Sequence, residues 1–193
     1  MRIHDLLEVD VSRFPPAPAW VADSLQRTPF VVVRRGEVTA HEIPVGVRGG
    51  RRSERWATSC PPGIVKKVHA PADLLGTGIP DRMPALCALR LLKELWGRDR
   101  DWGPGGSVGF ELATGEPVVT PESDLDAVIY APEPINLAEA RALLDATRDL
   151  PATVDVRVET PQVGFSLAEY AHGTKLLLRT PQGPILGIDP WNP

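Results

Sequence analysis

Two aspartates one residue apart, Asp124 and Asp126, open the apolar run from Leu125 to Tyr130. Residues i and i+2 of a strand project to the same side, so the two carboxylates share one face while Leu125, Ala127 and Ile129 take the other. Carboxylates held side by side repel, and a cation between them relieves the repulsion. Ligation by oxygen alone selects a hard ion, Mg²⁺ or Mn²⁺. A third carboxylate of the same polarity is Asp155, on the polar side of a strand whose other side is Val154, Val156 and Val158. If that strand pairs beside Leu125 to Tyr130, three carboxylates meet on one rim. Glu159, on the same polar side, is the alternative third ligand. This is the inventory of a two-metal phosphoryl or nucleotidyl transfer site, in which ions clamp the attacking and leaving oxygens. Upstream, Gly106-Ser107 offers backbone N–H groups and a hydroxyl to a departing diphosphate. An Asp-x-Asp pair alone is also what a solvated strand edge carries; the Gly-Ser and the later Val-Asp-Val strand give it weight.

Phosphate partners are available elsewhere. Between Arg34 and Lys67 stand Arg34, Arg35, Arg48, Arg51, Arg52, Arg55, Lys66 and Lys67 against three acids, a stretch that reads either as a solvated basic face or as a phosphate cradle or acidic-protein dock, with Arg48 and Arg51 as phosphate ligands. Lys175 and Arg179 alternate onto one face of a later strand and can reach a phosphate. His172 ends a short helix, where it complements the helix dipole. The chain has 17 Arg and 4 Lys; this bias reads as GC-rich coding before it reads as phosphate recognition. A formal charge of −4 argues against a general nucleic-acid binder.

The elements that must position these groups are legible in outline. Pro15, Pro16 and Pro18 precede a helix over 19–26; Phe30 to Arg34 and Glu42 to Arg48 read as strands around a turn at Gly36. The segment 51–69 supports neither helical nor strand period. Gly76 to Pro80 is a breaker cluster that divides a small module, 1–80, from the rest, 81–193. Pro84 to Trp96 is the clearest helix, with Leu86, Leu89, Leu92 and Trp96 on one side. Gly97 to Gly106 reads as a loop, and Val108, Phe110 and Leu112 as a strand ended by the turn Thr114 to Pro117. Capping boxes at Asn136/Glu139 and Ser166/Glu169 open helices over 137–150 and toward Gly173. The chain ends in a hairpin around Pro181 to Pro184. Cys60 and Cys87 have neither zinc nor disulfide-framework spacing and read as reduced core thiols. No apolar run nears the roughly 20 residues of a membrane span and the first residues are no signal peptide, so the expected partners include no membrane and the expected location is the cytoplasm. The second half is α+β, a mixed sheet covered by helices.

Gly106-Ser107, then Ser123-Asp124-Leu125-Asp126 opening an apolar strand, then Asp155 on a later one, resemble the nucleotidyltransferase superfamily related to DNA polymerase β. More closely, Gly106-Ser107 with Ala113-Thr114-Gly115 ahead of the aspartates, Val156-Arg157-Val158-Glu159-Thr160-Pro161, Leu177-Leu178-Arg179-Thr180 and Asp189-Pro190-Trp191 resemble the phosphoribosyl-dephospho-CoA transferases of malonate decarboxylase. His4-Asp5-Leu6-Leu7 and Val45-Gly46-Val47-Arg48-Gly49 also fit, so the resemblance covers nearly the whole chain.

The resemblance implies a polymerase-β-like nucleotidyltransferase domain with mixed sheet and flanking helices over 81–193, behind a small α/β module over 1–80. It implies a metal-dependent enzyme, the holo-acyl-carrier-protein synthase of malonate decarboxylase. Such an enzyme transfers phosphoribosyl-dephospho-CoA from triphosphoribosyl-dephospho-CoA to a serine of the acyl-carrier subunit, releasing diphosphate. It carries metal-binding roles onto Asp124 and Asp126 and, from the superfamily pattern, onto Asp155, which also stands to take the serine proton. Trp20, Trp56, Trp96 and Trp191 read as core, and Trp102, in the loop before Gly106-Ser107, is the tryptophan to test for adenine stacking. Two other functions remain open on the residues alone: a nucleotidyltransferase using an ordinary nucleoside triphosphate, and a non-catalytic adaptor that binds the carrier.

Overall fold

The computed structural model describes residues 1–36, 39–50, 54–173 and 175–193. Internal contacts divide the chain into two units, Met1–Ala70 and Pro71–Pro193, a division that falls ahead of the Gly76 to Pro80 cluster.

The first unit is an antiparallel sheet of β1 (Leu6–Val9), β2 (Phe30–Val33), β3 (Ile43–Arg48), β4 (Arg55–Cys60) and β5 (Val65–His69), ordered β4-β3-β2-β1-β5. Helix α1 (Ala19–Arg27) buries Val21 and Leu25, one turn apart, into the same core as Leu7, Val9, Val31, Val33, Ile43 and Val45. Each such buried side chain contributes about 1.5–3 kcal/mol of transfer free energy. The segment without a clear period, 51–69, holds two strands, β4 and β5, separated by a single 3₁₀ turn at Pro62–Ile64. Both are edge strands. Only Cys60 of β4 is buried, and no residue of β5 is, so their backbones are fixed by pairing with β3 and β1 and not by an apolar repeat. The thiol of Cys60 lies in the core, and burial pushes its pKa up to about 11. Arg48 is exposed at the end of β3, where its carbonyl accepts from Ser24 Oγ at 3.1 Å. Arg51 lies outside the described residues.

The second unit contains α2 (Pro71–Leu74), α3 (Pro84–Trp96), β6 (Trp102–Pro104), α4 (Gly106–Thr114), β7 (Leu125–Tyr130), α5 (Leu137–Asp145), β8 (Val154–Glu159), β9 (Gly164–Ser166), α6 (Leu167–Ala171), β10 (Leu176–Thr180) and β11 (Gly183–Gly187). Its sheet runs β11-β10-β9-β8-β7-β6. Only β7 and β8 pair in parallel; β6–β7, β8–β9, β9–β10 and β10–β11 are antiparallel. The described chain is thus mixed α+β, with two sheets and six helices.

Helix α3 has the expected bounds, with Pro84 in its first turn, Leu86, Leu89 and Leu92 fully buried, and Gly97 after its end. Asn136 caps α5 by accepting from the Glu139 N–H at 2.9 Å. The second expected box does not form: Ser166 makes no capping bond, and Glu169 accepts instead from the Leu177 N–H at 3.1 Å. Cys87 is only half-buried, and its thiol donates to Asp81 at 2.8 Å.

Two expectations around Gly106 are overturned. The stretch 97–106 is not all loop: Trp102–Pro104 forms β6, paired with Ile129, Val128 and Ala127 of β7. And Val108, Phe110 and Leu112 lie on helix α4, not on a strand. There Val108, Gly109 and Glu111 are the buried residues, and Gly115, left-handed at φ 79°, ends the helix by donating to the Glu111 carbonyl. Alternating apolar residues fit both periods over so short a run; the flanking glycines decide.

Candidate active site

The face of the second sheet opposite its main core collects the chemistry. Leu125, Ala127 and Ile129 of β7, Val156 and Val158 of β8, Phe165 of β9, and Leu176 and Leu178 of β10 belong to the core cluster. Their alternates, Asp126, Asp155, Arg157, Glu159 and Arg179, therefore share the other face. Asp124 precedes β7 by one residue, is exposed, and continues the alternation of Asp126.

Asp126 stands directly opposite Asp155 in the parallel register of β7 and β8. Neighbouring strands lie about 4.8 Å apart, so the pairing puts the two carboxyl-bearing residues side by side. The apolar alternates created this: Ala127 pairs with Val156 and Ile129 with Val158, and burying those pairs fixes the polar register. Glu159 faces Tyr130 instead, four residues further along, roughly 13 Å up the strand from the aspartates. It is also almost wholly buried.

Asp126 is clamped from the β6–α4 side. The Gly105 N–H donates to its carbonyl at 2.8 Å. Gly106 has φ 54°, and a Cβ there would overlap Asp126 Oδ2. The first turn of α4, with Gly106 exposed and Ser107 half-buried, thus abuts the Asp126 carboxylate. The N–H groups that a helix's first turn presents and the positive end of its dipole favour negative charge at this end.

Asp155 is held by a charge. Arg157 Nη2 donates to Asp155 Oδ2 at 2.6 Å, with the two side chains 28% and 34% exposed. Arg179 lies opposite Gly164, which in turn lies opposite Glu159. Burial depresses the Arg179 pKa first, and the charge of Arg157 depresses it further, while Glu169, Asp155 and Glu159 oppose the shift. Lys175 is exposed, just ahead of β10.

Carboxylate oxygens are the donor type a hard cation takes, and Asp124, Asp126 and Asp155 are the carboxylates nearest this rim. Among the described residues no three His, Cys, Asp or Glu side chains form a group that could hold a metal ion.

Other motif residues prove structural. Trp102 is fully buried, donates from Nε1 to the Gly97 carbonyl at 2.9 Å and meets Trp96 edge-on at 4.8 Å; it cannot stack on a ligand. Thr160 Oγ1 donates to the Pro190 carbonyl at 3.2 Å, and Trp191 Nε1 to that of Ala131 at 3.0 Å, so these residues pin the C-terminal tail. His172 ends α6, its Nδ1 2.6 Å from the Ala168 carbonyl oxygen. Arg157 is the site residue that sequence reasoning passed over; its signal was its place two residues after Asp155 on the same strand face.

The described residues contain no helix long and apolar enough to cross a membrane. Residues 78–190 match the family model described as the phosphoribosyl-dephospho-CoA transferase MdcG C-terminal domain, and residues 2–71 match the corresponding N-terminal domain. The chain is 39% identical over 194 residues to a phosphoribosyl-dephospho-CoA transferase of Pseudomonas putida, covering 98% of this chain and 95% of that one. It is 35% identical to proteins of the same name from Pseudomonas aeruginosa, covering 97% and 92% of the two chains, and from Klebsiella pneumoniae, covering 99% and 96%. No solved structure matches.

Proposed function

The chain belongs to the phosphoribosyl-dephospho-CoA transferase family, and from that membership we propose that it transfers phosphoribosyl-dephospho-CoA from triphosphoribosyl-dephospho-CoA to a serine of the malonate decarboxylase acyl-carrier subunit. The serine oxygen attacks the α-phosphorus, the bond from that phosphorus to the bridging oxygen breaks, and diphosphate leaves. The product is a phosphodiester on the carrier.

The observation that carries this reading is the placement of Asp126 opposite Asp155 beside the first turn of α4. In this reading Asp155 accepts the serine proton. The backbone N–H groups of Gly106 and Ser107 and the Ser107 hydroxyl hold the departing diphosphate. Arg179 and Lys175, on the same face, bind phosphate oxygens. A divalent cation, Mg²⁺ or Mn²⁺, held by Asp124, Asp126 and Asp155 would neutralise charge on the phosphoryl oxygens. The rest is positioning: the fold fixes these groups before substrate arrives, so little reorganisation is left for the reaction. A nucleotidyltransferase-like fold for Pro71–Pro193, and action in the cytoplasm, belong to the same proposal.

Incubation with the apo acyl-carrier subunit, triphosphoribosyl-dephospho-CoA and Mg²⁺ tests it. The carrier should gain the mass of one prosthetic group with one diphosphate released, and lose both with EDTA. A gain only when ATP replaces the substrate would mark a general nucleotidyltransferase; carrier binding with no gain in either tube would mark an adaptor.

A further inference from the structure

Among the described strands, three of the four sheet edges are guarded. In the first unit β4 opens on an exposed Arg55 and β5 exposes Lys66 and Lys67, charges that discourage a further strand. In the second, β6 has three residues, all buried, and a Cβ at Gly103 would overlap the Pro71 carbonyl. The remaining edge, β11, differs. Gly183-Pro184-Ile185-Leu186-Gly187 carries no charge, and no described strand pairs with its outer side. Ile185, Leu186 and the following Ile188 are 46%, 71% and 76% exposed. The nearest charges stand off the strand: Lys175 ahead of β10, Arg179 on it, Glu169, which accepts the Leu177 N–H, and Asp189, which accepts from Trp191 and Asn192.

Register fixes which backbone groups of β11 face outward. Bonded and non-bonded pairs alternate along an antiparallel ladder. Pro184, opposite Arg179, has no N–H, so that pair is non-bonded, and so is Leu177 with Leu186. The outer side therefore presents the Pro184 carbonyl and both backbone groups of Leu186, and Ile188 continues the alternation. A copy of the same strand laid antiparallel, Leu186 against Leu186, matches this set. Each Leu186 N–H donates to the other Leu186 carbonyl, and each Ile188 N–H to a Pro184 carbonyl; only the Ile188 carbonyls are left to solvent. No like charges stand opposite each other. Leu186 also shares its sheet face with Leu177, 38% exposed, so each copy brings two leucines to the seam.

We propose that the chain pairs with a second copy of itself through β11, about a two-fold axis passing between the two Leu186 residues. The six-stranded sheets of the two copies become one continuous sheet. Because the axis is normal to that sheet, the faces carrying Asp126 and Asp155 look the same way in both copies. A contact of one short strand per copy buries less than about 1,200 Å², the class of weak interfaces, so the pair forms at micromolar concentration and above.

Sedimentation equilibrium of the full chain, from low micromolar to submillimolar concentration, tests this together with amide hydrogen exchange of the peptide spanning 183–188. A dimer should appear as concentration rises, with exchange at 183–188 slowed in step. Leu186→Lys should weaken association at least about fivefold, because like charges then meet across the axis. Its melting temperature should hold, since the side chain is exposed. An equimolar mixture of Leu186→Lys and Leu186→Glu should regain the dimer that neither forms alone, because only this register sets residue 186 against residue 186. A monomer at every concentration overturns the proposal. So does a dimer that Leu186→Lys leaves intact and that does not slow exchange at 183–188, which puts the interface elsewhere. Failure of the mixture to associate overturns the two-fold arrangement. Slowed exchange at 183–188 only when the apo acyl-carrier subunit is added to a monomeric chain overturns it as well and gives the edge to that partner.

Discussion

Gly106 abuts Asp126 so closely that a single added methyl would overlap the carboxylate, and it does so at φ 54°. The contact places the start of α4 against the strand residue that pairs with Asp155. Gly106→Ala must therefore move either the helix start or the aspartate, and adds about 1–2 kcal/mol of left-handed backbone strain. The expected outcome is a fall in transfer of at least about 100-fold, since misplacement by an ångström costs that much, with a cooperative unfolding transition and an unchanged far-ultraviolet circular dichroism spectrum. Transfer at more than a tenth of the original rate would mean that the α4 start takes no part.

Asp124 is exposed, so Asp124→Asn removes one charge without disturbing any packing. Transfer to the carrier should drop below a few per cent while the melting temperature stays within a few degrees. Carrier mass and thermal melting, measured on the same preparation, separate loss of chemistry from loss of fold.

Trp102 is a core residue despite lying next to the proposed phosphate site. Trp102→Ala should cost about 3–5 kcal/mol, the usual range for emptying an aromatic core position, read from urea unfolding. Trp102→Phe keeps most of the volume and loses the bond to Gly97. It should leave the KM for triphosphoribosyl-dephospho-CoA within about twofold, because a fully buried ring makes no contact for the change to remove. A large rise in KM with unaltered stability would restore the stacking role.

Glu111 is a buried carboxylate on α4 that accepts from Arg82 at 2.5 Å and from the Val119 N–H at 2.9 Å. It ties the approach to Asp124 back onto the helix. Glu111→Ala leaves the Val119 N–H unpaired and should destabilise by about 1.5–3 kcal/mol, the value of a charged hydrogen bond. Denaturant midpoints of Glu111→Ala and Arg82→Ala, compared with the double variant, would separate the pair's contribution from that of the backbone bond.

Cys60 supplies a pH dependence. Burial raises its thiol pKa from 9.0 to about 11 in the folded protein. The folded value lies above the unfolded one, so this contribution to stability is fully present below about pH 9 and is lost as pH rises toward 11. Cys60→Ala should flatten the alkaline limb of a melting-temperature profile in that window. Iodoacetamide at pH 8 should label Cys60 only as fast as the protein unfolds.

How much of this was legible in the chain follows from which signals are local. The one-residue spacing of Asp124 and Asp126, the strict alternation from Val154 to Glu159, the apolar repeat of α3 and the cap at Asn136 each depend on neighbours within a turn or two. Each appears in the structure as expected, except that Glu159 is buried and Asp124 lies one residue outside β7. Edge strands β4 and β5 and the short β6 carry no such repeat, because their order comes from partner strands far along the chain. The run from Val108 to Leu112 fits two periods, and tertiary contacts made it a helix.

The same division holds for the site. Residue types and spacing determined which carboxylates were available and that they share a strand face, because side-chain alternation is a property of the backbone alone. Only the tertiary structure decided that Asp126 meets Asp155 and not Glu159, that Gly106 abuts the Asp126 carboxylate, that Arg157 holds Asp155, and that Trp102 is core. These depend on strand register and helix placement, which are set by burying Ala127, Ile129, Val156 and Val158 together, a cooperative choice that no single segment contains.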